Sequence, residues 1–233
     1  MKKLTAVFLS AFLMTMPVKA EQAGIDFTKK LADDIIVNVL SANISDEEKL
    51  KVFHDRFKED LDIQTIGKRV TGTYWKKATP KEQEEFLAAF LDFTTKSWAD
   101  KFNLYTGQKI NFTGIQAAKS GQFFVSSAVE GNPPAEVLWR IKKAGDSYKI
   151  TDIVIEGVSM VTSYRNEYVA FLYKNGGKLS SLTEELKRKS ASFSFTKKEV
   201  KTKKKKAEEA LRPFFKYISK SDHKGLYQGE LLI

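Results

Sequence analysis

The chain of 233 residues has no cysteine, two histidines and five prolines. The absence of thiols excludes disulfide scaffolds, zinc ribbons, thiol catalysis and thiol-attached lipid anchors. His54 and His223 are the only imidazoles, too few for a His-rich metal site, and His54 reads as a solvated residue on an amphipathic helix. The phosphate and metal signatures GxxxxGK[ST], GxGxxG and HExxH are missing. Gly157-Val158-Ser159-Met160-Val161 begins like a GxSxG elbow but lacks its second glycine. Beyond the first 20 residues no run approaches the roughly 18 uninterrupted apolar residues of a membrane span.

What is present is a charge of +10, from 39 basic and 29 acidic residues, with 42% hydrophobic and 12% aromatic residues. That apolar content is enough for a sizeable core. The charge is concentrated at the two ends. Lys2, Lys3 and Lys19 give residues 1–20 a charge of +3, residues 192–233 carry +6, and the remainder carries +1. A nucleic-acid domain needs a basic face on its fold, so a near-neutral body argues against nucleic acid as a partner.

Lys2-Lys3, the apolar run of 13 residues from Leu4 to Met16, Pro17 and Val18-Lys19-Ala20 have the layout of a secretory signal peptide, with cleavage expected after Ala20. A 13-residue helix spans about 20 Å, short of the roughly 30 Å hydrocarbon core. An exported, cysteine-free chain of this kind points to the bacterial periplasm. The expected organisation is a signal peptide at 1–20, a folded domain at 21–191 and a basic, disordered tail at 192–233. In the tail, Lys203, Lys204, Lys205 and Lys206 form a run suited to an anionic membrane surface.

The period of the apolar residues predicts helices over 27–42, from Ser45-Asp46-Glu47-Glu48 to about 59, and over 61–70 ending at Gly72. A further helix starts at Thr79-Pro80-Lys81-Glu82, where threonine caps, proline takes the first helical position and Glu82 completes a capping box. Its stripe of Phe86, Leu87, Phe90, Leu91, Phe93, Trp98, Phe102 and Tyr105 is wide and heavily aromatic. The period then shortens to two over 110–118, 123–129, 136–142 and 148–158, with Gly-rich turns too short for crossover helices. These four strands should therefore form an antiparallel sheet. Helices over 159–173 and 179–189 close the domain. The expected class is α+β, with helices packed on a curved antiparallel sheet of about four strands.

Two features invite a functional reading. Asp152 and Glu156 share one face of an apolar strand, an arrangement compatible with an acid–base group in a cavity. They are equally compatible with solvent exposure or pairing with Arg140, Lys142 or Lys149, so catalysis is not supported. The aromatic stripe, with Tyr74, Trp75 and Trp139, fits either a filled core or the lining of an apolar pocket, since both have the same periodicity.

The segment Tyr74-Trp75-Lys76-Lys77-Ala78-Thr79-Pro80-Lys81-Glu82-Gln83, followed by Phe86 and Phe90, resembles the first hallmark of the toluene-tolerance/MlaC family. Asp152-Ile153-Val154-Ile155-Glu156-Gly157-Val158-Ser159, running on to Tyr164-Arg165-Asn166-Glu167-Tyr168, resembles its second, and Leu138-Trp139-Arg140 is similar to its penultimate strand. The resemblance covers roughly 27–190; the tail is a departure, because the family usually ends near 186–191. It implies a nuclear-transport-factor-two-like fold enclosing an apolar cavity, and a periplasmic carrier of phospholipid without a cofactor. The implied partners are an inner-membrane MCE-domain ABC transporter and an outer-membrane lipoprotein complex, with maintenance of outer-membrane lipid asymmetry as the outcome. The residues expected to face the acyl chains are Tyr74, Trp75, Phe86, Phe90, Phe93, Tyr105, Val125, Val137, Trp139, Ile155 and Val158. Competing readings are a hopanoid-associated binding protein of the same family and a cavity enzyme using Asp152 or Glu156. Exposing an acyl CH₂ to water costs about 0.8 kcal/mol, so a two-chain lipid carried bare would cost on the order of 20 kcal/mol. An apolar cavity removes that cost without any nucleotide site.

Overall fold

The structure, a computed structural model, describes residues 16–40, 42–102, 107–131 and 134–193. Helices α1 (Met16–Ile35), α2 (Asp46–Asp60), α3 (Ile63–Thr71) and α4 (Pro80–Phe102) come first. Strands β1 (Ile110–Ala117), β2 (Gln122–Val129), β3 (Ala135–Ala144), β4 (Ser147–Ile155) and β5 (Val158–Ser159) follow, and α5 (Met160–Lys174) and α6 (Leu179–Ala191) close the domain. The strands form one open sheet in the order β1-β2-β3-β4-β5, every neighbouring pair antiparallel. The fold is α+β, as expected from the change of period along the chain. Among the described residues no helix is long and apolar enough to cross a membrane.

Two departures have physical causes. The first helix starts at Met16 instead of Phe27 and ends in a π-helical turn, Ile36–Leu40. Ahead of Phe27 it packs through the small residues Ala20 and Gly24, which carry no hydrophobic period. A Cβ added to Gly24 would lie 2.9 Å from Ile115 Cδ1 and 3.1 Å from Ile141 Cδ1, so α1 approaches the sheet at backbone distance. Further along, Leu31, Ile35 and Val39 are buried at four-residue steps. The wider i→i+5 turn keeps Val39 beneath Ile35 while Val37 faces solvent.

The second departure is a fifth strand where about four were expected. Glu156 (φ +50°) and Gly157 (φ +77°) reverse the chain, and Val158-Ser159 fold back on Val154-Ile155. Glu156 therefore sits in a turn and does not share a strand face with Asp152, contrary to the expectation for the pair. A bulge within β4 adds to this separation: Ile141 pairs with Ile150 and Arg140 with Asp152, leaving Thr151 as the extra residue.

The two sequence hallmarks are joints of the fold. In the first, the Tyr74 ring lies against Gly177, where a Cβ would come within 2.9 Å of it, and Trp75 meets Phe86 edge-on at 6.4 Å. Thr79 Oγ1 accepts the Glu82 N–H at 3.2 Å, and the Glu82 carboxylate accepts from the Thr79 N–H at 2.8 Å, the capping box expected. Gln83 Nε2 donates back to the carbonyls of Trp75 (3.0 Å) and Ala78 (3.2 Å), and Phe86 stacks on Phe90 at 5.7 Å. In the second, Asp152 accepts from Ser159 Oγ at 2.6 Å and from the Val161 N–H at 3.1 Å, while Ser159 caps α5 through the Thr162 N–H. Arg165 Nη1 donates to the Arg69 carbonyl at 2.6 Å, covering the end of α3 above Gly72.

Candidate functional site

The joint between α2 and α3 docks on the outer edge of β4. The Asp62 N–H donates to the Ile150 carbonyl at 2.8 Å, and Arg69 Nη1 donates to the Thr151 carbonyl at 3.3 Å. With α4 and α5 on the remaining sides, these elements enclose a cavity of about 40 Å³. Phe57 and Leu61 enter from α2 and its C-terminal cap, and Ile66 from α3. Helix α4 contributes Phe90, Thr94 and Trp98; β4 contributes Ile150, Asp152 and Ile153; α5 contributes Met160, Val161 and Tyr164. The wall is almost wholly carbon.

Its polar groups are mostly occupied. Asp152 is 1% exposed, and its carboxylate holds the start of α5 through Ser159 and Val161, with Arg140 Nε at 3.9 Å. Every strong bond of this carboxylate is to the fold, so its evident role is to anchor a helix end. Burial pushes the Tyr164 hydroxyl up to about 12, against hydrogen bonds from Ser97 and Trp98 that lower it, so it remains a neutral phenol. The Phe90 ring stands edge-on to both Tyr164 (5.9 Å) and Tyr168 (6.1 Å), which bonds α4 to α5 through aromatic contacts. Among the described residues no cluster of carboxylates and histidines could hold a metal. His54 lies on α2 beside Asp55 at 3.6 Å with its side chain 38% exposed.

A volume of about 40 Å³ is far below the roughly 300 to 1,000 Å³ of sites for small organic ligands. The arrangement is a narrow apolar site. Its walls come from β4 and from four helices, with no strand ladder tying α2 and α3 to α5.

Of the residues expected to face acyl chains, Phe90 lines this cavity. Phe86 and Trp75 are buried in the layer behind it, and Tyr74 packs on Gly177 at the α5–α6 turn. Phe93 is half-buried, its ring 5.9 Å from that of Phe193. Val125, Val137 and Trp139 share a sheet face through the pairs Val125–Trp139 and Ser127–Val137, and Trp139 Nε1 donates to Ser127 Oγ at 2.9 Å. Ile155 pairs with Val137 and with Val158 at the β4–β5 turn. Glu156, in that turn, accepts the Glu136 N–H of β3. Tyr105 and the Lys203–Lys206 run lie outside the described residues. The lining residues absent from the sequence-based set are Phe57, Leu61, Ile66, Thr94, Trp98, Ile150, Ile153, Met160, Val161 and Tyr164. One signal for them existed: Phe90, Thr94 and Trp98 recur at four-residue steps on one helix face.

Comparison with known proteins fixes the family. Residues 29–188, from α1 to α6, match the family described as MlaC protein. The chain belongs to that family. It is similar to the "Intermembrane phospholipid transport system binding protein MlaC" of Haemophilus influenzae, at 23% identity over 178 residues, covering 72% of this chain and 83% of the relative. Among solved structures it shares the fold of a phospholipid-binding protein from Ralstonia solanacearum in complex with a phospholipid. There the TM-score is 0.65 at 20% identity, over 72% of this chain and 97% of that one. The MlaC family match spans every element that walls the cavity.

Proposed function

We propose that this MlaC-family chain is a phospholipid carrier of an intermembrane transport system, holding acyl chains in the cavity between α2–α5 and β4. The observation that carries this reading is an apolar, narrow cavity walled by the same segment that matches the family. The names of the Haemophilus and Ralstonia proteins support it. Binding requires α2 and α3 to part from α5, which exposes apolar wall only when lipid is there to cover it. The expected signal peptide places the mature chain, from Glu21, in the periplasm. In this reading it exchanges lipid between an inner-membrane MCE-domain ABC transporter and an outer-membrane lipoprotein complex, sustaining outer-membrane lipid asymmetry. It performs no chemistry of its own: Asp152, the one carboxylate in the wall, is committed to capping α5. The Lys203–Lys206 run supplies attraction to anionic lipid of about 1 kcal/mol per lysine near the surface.

The test is native mass spectrometry of the protein purified gently from cells. Roughly stoichiometric diacyl phospholipid is the expected finding. A terpenoid ligand in its place would favour a hopanoid-linked role, and empty protein that also ignores labelled phospholipid would end the carrier reading.

A further inference from the structure

The six threonines buried among the described residues divide unequally. Thr28, Thr71 and Thr183 each donate to the carbonyl four residues back, at 2.9, 2.7 and 3.1 Å, and Thr151 donates to the Arg140 carbonyl at 3.2 Å. Thr94 and Thr95 have hydroxyls sealed from solvent and no hydrogen-bond partner. A buried hydroxyl without a partner is an unfavourable feature that a fold normally avoids. Thr95 is away from the cavity, but Thr94 is in its wall, midway between Phe90 and Trp98 along α4. A tunnel meant only for hydrocarbon would be better served there by valine, which has the same shape.

We propose that Thr94 is a polar anchor for the ligand, its hydroxyl donating to an ester carbonyl of an acyl lipid once the cavity opens. This rests on the phospholipid-carrier reading and adds a specificity to it. The hydroxyl is unpaired in the narrow state and paired in the loaded one, so it favours the loaded state only for ligands that present an acceptor at that depth. Threonine in a helix has two accessible χ1 rotamers, so reorientation toward the ligand needs no backbone movement. The anchor sets how far the lipid enters: the ester linkage stops beside Thr94 and the chains lie along the surrounding apolar wall, Trp98 included. Ester-linked diacyl lipids are selected over ether-linked dialkyl lipids and over hydrocarbon-like terpenoids, which lack the carbonyl.

The experiment is a competition titration of the full chain with diacyl phosphatidylethanolamine against its dialkyl-ether analogue, matched in chain length. The wild type should prefer the ester lipid about tenfold, the scale of one hydrogen bond gained. Thr94→Val should bring the preference close to one, while Thr94→Ser, which keeps the hydroxyl, and Thr95→Val, which removes an unpaired hydroxyl elsewhere, should retain it. Equal preference in wild type and Thr94→Val overturns the anchor and leaves phospholipid carriage standing. Failure of the wild type to bind either lipid removes the carrier reading and the anchor with it.

Discussion

Single residues decide whether the cavity wall is an anchor or an active site. Asp152→Asn keeps the shape and an acceptor for the Val161 N–H, but it removes the charge and the oxygen to which the Ser159 hydroxyl donates, so that hydroxyl must turn its proton elsewhere. The expected loss is about 1–3 kcal/mol in urea unfolding, with lipid still bound by the folded fraction. A variant as stable as wild type would remove the anchoring role. Tyr164 gives a pH dependence of definite sign. Burial raises its hydroxyl from 10.0 to about 12, so the fold favours the neutral phenol. That contribution, at most about 2–3 kcal/mol, is complete below pH 10 and is lost as the pH rises from 10 toward 12. Thermal melts across that window should therefore fall steeply, and Tyr164→Phe should flatten the fall. Tyr168, raised by the same burial, leaves a remainder. At this scale the sequence was informative where a cap was involved, as with Thr79 and Glu82. For Asp152 it named Arg140, which lies 3.9 Å away, but not the closer partners, Ser159 and the Val161 N–H, because these come from the next element.

At the scale of elements, the α5–α6 turn shows how a family hallmark can be structural. Gly176 and Gly177 both have positive φ, at +74° and +70°, but only Gly177 has a ring, that of Tyr74, in the space a side chain would take. Gly176→Ala should cost about 1–2 kcal/mol from backbone strain alone. Gly177→Ala should cost more, and the excess should vanish in a Tyr74→Ala background. Equal costs in the two alanine variants would show that Tyr74 does not seat the turn. The helices with apolar stripes were legible in advance, with α2 and α4 starting at their expected caps. The first half of α1 was not, since Gly24 works by having no side chain to read. The β4–β5 reversal was hidden for a similar reason: the β-branched run Ile153-Val154-Ile155 and Val158 reads as one strand, and the positive φ at Glu156 and Gly157 breaks it.

For the whole molecule, the class of fold followed from where the hydrophobic period changes, but the cavity did not. Its wall brings together Phe57, Phe90, Ile153 and Tyr164 from four elements, and periodicity assigns each only an inward face. Whether inward faces meet or leave a gap depends on how the α2–α3 joint seats on the β4 edge, a contact made by backbone groups of Asp62 and Ile150. The charge at the chain's ends belongs to this scale too. Deleting residues 192–233 should weaken binding to anionic vesicles at low salt and leave lipid occupancy unchanged. Unchanged vesicle binding would show the tail's lysines to be mere solvation.

The chain's three tryptophans make the placement of the acyl chains measurable, since Trp98 is in the cavity wall, Trp75 is buried behind Phe86 and Trp139 is on the sheet. Variants retaining one tryptophan each can be loaded with phospholipid brominated along its acyl chains, which quenches indole fluorescence at contact. Strong quenching of Trp98 with little effect on Trp75 is the expected result. Quenching of Trp139 or Trp75 with Trp98 unaffected would place the lipid elsewhere in the fold and contradict the proposed site.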